Sequence, residues 1–152
     1  MSQPSQDLKQ AESAIHTVIE SLIDSQEALV AIGEKLADRN LKHFFLAESL
    51  TRAQFRGELE SILNQEGISD LREEGTIAGA AHRAWVGLKF KLGGGDHTLL
   101  VTAEKGEDAA KVVYDNAIQA ALSLPLRQVL TSQAAHIQEA QEFVKAALDR
   151  IQ

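Results

Sequence analysis

Apolar residues recur at three- and four-residue spacing through four long stretches of the chain, the period that lines one face of an α-helix. In the first stretch, Ile15, Val18, Ile19, Leu22, Leu29, Ile32 and Leu36 form the stripe, with Ser5 and Asp7 at its start and Ala37 near its end. Asp38, Arg39 and Asn40 make a very short break. The period then resumes with Leu41, Phe44, Phe45, Phe55, Leu59, Ile62 and Leu63, and closes near Gly67. So short a break folds the second helix back antiparallel on the first. A third stripe holds Leu99, Leu100, Ala103, Ala110, Val113, Tyr114 and Ala121, with Asp96 as the predicted cap. Ser123 and Pro125 restart a fourth, carried by Leu126, Val129, Leu130, Ile137, Ala140, Phe143, Val144 and Ala147.

Between Gly67 and Gly95 the pattern changes. Gly75 precedes Thr76, a cap for a short helical segment with Ile77, Trp85, Leu88 and Leu92, and Gly93, Gly94 and Gly95 follow. Two antiparallel hairpins joined by so long a connection predict an all-α, ferritin-like four-helix bundle, the crossover (67–95) running the bundle's length and containing a short helix. A simple up-and-down bundle would not need that span. The expected organisation is a single domain over residues 1–152.

Composition narrows the function classes more than the fold. The 152 residues carry a formal charge of -7, which speaks against nucleic-acid binding because that relies on Lys and Arg displacing counterions from phosphates. No cysteine is present, so disulfides, thiolate metal sites and cysteine nucleophiles are excluded, and a cytoplasmic location is the expectation. The first residues, Met1 to Asp7, lack the basic and apolar regions of a secretory signal, and no apolar run approaches a membrane span of roughly 20 residues.

Chemistry is sought where polar groups interrupt a buried stripe, since a buried charge needs a partner or a metal. The interruptions are Ser25 and Gln26 on the first helix, Glu48 with Thr51 and Arg52 on the second, Glu104 and Glu107 on the third, and Gln133 and His136 on the fourth. One reading is an iron or manganese site built from Glu48, Glu107 and His136, with Glu104 or Glu27 as a supplementary carboxylate. A complete dinuclear site, however, takes a Glu from each of two helices and a Glu-x-x-His pair from each of the other two. Here Glu48 is followed three residues on by Thr51, helix four reads His136-x-x-Glu139 in reverse order, and Glu27 falls about 100° round its helix from the inward Gln26. The competing reading is an ion pair of Glu48 and Arg52, spaced i,i+4 and bridged by Gln26 and Gln133, that fixes helix register and needs no cofactor.

Other candidates are weaker. His16, His43 and His97 fall on solvated faces or at a helix start. His82, Arg83 and Trp85 in the crossover suit packing against the bundle or a small-ligand site. The Gly93-Gly94-Gly95-Asp96-His97 run lacks the lysine and preceding strand of a phosphate loop. No nucleophile is fixed beside a base, so a hydrolase triad is unsupported and whether the chain is an enzyme stays open.

Several runs carry a resemblance: Gly75-Thr76-Ile77-Ala78-Gly79-Ala80-Ala81-His82-Arg83-Ala84-Trp85, then Leu88-Lys89, Gly94-Gly95-Asp96, and Glu104-Lys105-Gly106-Glu107-Asp108-Ala109-Ala110. With Asp24-Ser25-Gln26-Glu27, Ala53-Gln54-Phe55 and Glu58-Leu59, they make the stretch from about Leu22 to about Leu148 similar to an uncharacterised bacterial family of ferritin-like four-helix-bundle proteins, a domain of unknown function. The resemblance implies a ferritin-like fold and a cytosolic, stress-associated protein, with no reaction to carry over. The family's pattern has Glu at the position of His136 and a His nearer Gln141, so this chain departs from it on helix four.

Two functions follow as expectations. The first is a non-enzymatic module that forms a homo-oligomer or binds a protein partner, motivated by outward apolar residues such as Val30, Leu46 and Val112. The second is a metal-binding protein with iron-handling or redox activity.

Overall fold

The computed structural model describes residues 4–67, 94–120 and 123–151. Among them are four α-helices: α1 (Pro4–Lys35), α2 (Arg39–Gln65), α3 (Asp96–Ile118) and α4 (Leu124–Ile151). The all-α expectation holds for these residues. The predicted short crossover helix, with His82, Arg83 and Trp85, and the stripe residue Ala121 lie outside the described residues.

Local chemistry explains the helix boundaries. Asp38 caps α2, its carboxylate accepting from the Leu41 N–H at 2.9 Å, so helix already resumes at Arg39, within the predicted break. Ser123 begins α4: its hydroxyl accepts from the Leu126 N–H at 3.4 Å and donates to Glu66 at 2.7 Å. Asp96 departs from expectation. Gly95 is the N-cap of α3, without a side-chain bond, and Asp96 instead turns outward to accept from the backbone N–H groups of Ala37 and Asp38, at 2.8 and 3.0 Å. Those donors lie in the turn between α1 and α2, where no intrahelical acceptor was available to them.

These contacts orient the bundle. α3 starts beside the end of α1, and α4 starts beside the end of α2. α1 packs against α2 and α3, α4 packs against α3 and more lightly against α2, and α2 stands diagonally across from α3. Gly67 and Gly94, the last and first described residues around the crossover, therefore occupy opposite ends of the bundle. Each has a positive φ (75° and 88°), a conformation that glycine adopts without Cβ strain.

The apolar core is in two parts. One end is filled by residues such as Leu29, Ile32, Leu36, Phe45, Leu100 and Val144, and the other by Ile15, Val18, Leu22, Leu59, Leu130 and Ile137. Close approach of α1 and α2 uses Gly33, where a Cβ would sit 3.1 Å from the Leu46 side chain. Leu46 and Val30 are half-buried rather than outward, while Val112 is exposed. Phe143, expected on the inner stripe of α4, is exposed and stacks on Phe44 with ring centroids 4.0 Å apart. Among the described residues no helix is long and apolar enough to cross a membrane.

Candidate functional site

A polar layer separates the two apolar halves. Residues 48, 49 and 52 share one inward face of α2, because positions three and four apart meet on one side of a helix, and they arrive opposite Glu107 of α3 and His136 of α4. Arg52 is fully buried at its centre. Its Nε donates to Glu48 Oε2 at 3.0 Å, its Nη1 donates to Glu107 Oε1 at 2.9 Å, and its Nη2 donates to Glu107 Oε2. The last two bonds form the parallel fork that a planar guanidinium makes with a carboxylate. Burial works against the charged guanidinium, but Glu107 and Glu48 outweigh it and hold Arg52 above the ordinary arginine range.

Glu48 and Glu107 are themselves 6% and 2% exposed, so Arg52 is the cation that keeps two dehydrated acids in the core. The outer edge of the cluster is His136, whose Nε2 lies 3.0 Å from both Glu48 oxygens and whose ring meets Phe55 edge-on at 5.3 Å. Its side chain is 41% exposed, which makes it the partly solvated member of the set.

A second group lies toward the α4 start. The Tyr114 hydroxyl donates to Gln133 Oε1 at 2.7 Å, and Gln133 Nε2 donates to the Phe55 carbonyl at 3.1 Å and to Glu58 at 3.0 Å. Burial pushes the Tyr114 phenol up, with Arg52 opposing and Glu58 and Glu107 adding to the rise. A third group is centred on Gln141, fully buried, whose Nε2 donates to Asp108 at 2.5 Å and to the Glu104 carbonyl at 3.4 Å. Its Oε1 has no hydrogen-bond partner among the described residues. On α1, Asp24 and Ser25 are buried, and the Ser25 hydroxyl donates to the Leu22 carbonyl at 3.1 Å.

Of the residues expected from sequence, Glu48, Arg52, Glu107 and His136 come together. Gln133 does not bridge the Glu48–Arg52 pair, because Tyr114 and the α2 backbone take its amide. Gln26 is half-buried and enters none of these bonds. Glu104 faces Lys145 at 4.0 Å, and Glu27 is exposed. Among the described residues no three His, Asp or Glu side chains are arranged to hold a metal ion. Arg52 donates to Glu48 Oε2 and to both oxygens of Glu107, while Glu48 Oε1 lies against His136 Nε2. His16 is 3.8 Å from Glu20, and His43 and His97 are exposed.

Tyr114, Gln141 and Glu58 were not expected from the sequence as members of the polar core. Tyr114 sits within an apolar stripe, and only its polar tip betrays the need for a partner. Gln141, eight residues beyond Gln133, falls on the same inward face of α4. An open cleft of about 680 Å³ between α2 and α4 is lined by Phe55, Glu58, Ile62, Val129 and Gln133.

Over the described residues, the fold and this layer define a four-helix, all-α arrangement with a charged core built around one arginine. The family model described as Domain of unknown function (DUF2383) matches residues 10–120, and the chain belongs to that family. No curated protein and no solved structure matches the chain. The match takes in Glu48, Arg52, Glu107 and Tyr114 and stops before α4, so Gln133, His136 and Gln141 lie outside it.

Proposed function

We propose that this chain is a non-enzymatic helical module with ferritin-like helix order, which forms a homo-oligomer or binds a protein partner, and whose polar core is structural. The observation that carries this reading is the seat of Arg52. In bundles with carboxylate metal centres the inward acids of facing helices converge on metal ions. Here the buried acids of α2 and α3 converge on a guanidinium that belongs to the chain. Helix directions add support, because α3 begins beside the end of α1, as expected when two hairpins are joined by one long crossover.

Metal analysis of the protein purified without chelator tests the reading. The expected result is iron and manganese far below one equivalent per chain. Near-stoichiometric metal, lost on substituting Glu48 or Glu107, would replace this reading with a metal-binding one using Glu48, Glu107 and His136.

A further inference from the structure

We draw no further inference here: the strongest candidate, the open cleft between α2 and α4 lined by Phe55, Glu58, Ile62, Val129 and Gln133, carries nothing because Gln133 and Glu58 already bond each other within the chain and nothing in the structure shows what covers it.

Discussion

Arg52 serves two acids at once, and this decides what its removal does. Taking one member out of a buried ion cluster leaves charge without compensation, typically costing ~3–5 kcal/mol, whereas replacing the whole cluster with apolar groups is often neutral. Arg52→Met should therefore lower unfolding stability by about that amount in urea denaturation. Adding Glu48→Met and Glu107→Leu to it should recover most of the loss. A single variant within about 1 kcal/mol of the parent would mean that the acids find water or another cation.

Tyr114 offers a second measurement at this scale because it is the only tyrosine. Its phenol is raised above the ordinary value of 10.0 by burial. As pH rises past that value the unfolded chain releases this proton first, so the contribution to stability is complete below it and is lost progressively toward the folded-state value. Ultraviolet absorbance should show no phenolate in the folded protein where the urea-unfolded chain already ionises. Coincident titrations would contradict the buried bond to Gln133. Tyr114→Phe, which leaves Gln133 Oε1 without its donor, should cost about 1–3 kcal/mol in the same denaturation assay.

At the scale of elements, much was legible because helix periodicity and capping are local. The stripes gave all four described helices, and Asp38 and Ser123 hold the positions their side chains suit. Asp96 was misassigned for a non-local reason: its partners, Ala37 and Asp38, are far away in the chain and close only when the two hairpins dock. The site was legible to the same extent. Spacing placed Glu48 and Arg52 together on one turn, but which amide Gln133 would satisfy depended on where Tyr114 of another helix arrived. Asp38→Ala should cost ~0.5–2 kcal/mol in thermal or urea unfolding, as loss of an N-cap does. Asp96→Ala, whose partners are solvent-exposed, should cost less than Asp38→Ala in the same assay.

For the whole molecule, the polar layer divides the core into two apolar halves, and the bonds of that layer cross between helices. Arg52 and Glu107 join α2 to α3, two helices that do not pack side by side. Such a bond closes only once both hairpins stand in their final places, so it is expected to form late in assembly. A late contact of this kind governs how fast a protein comes apart far more than how fast it forms. For this chain the diagonal arginine is accordingly a determinant of lifetime: its loss should steepen the escape from the native state while hardly changing the speed of reaching it.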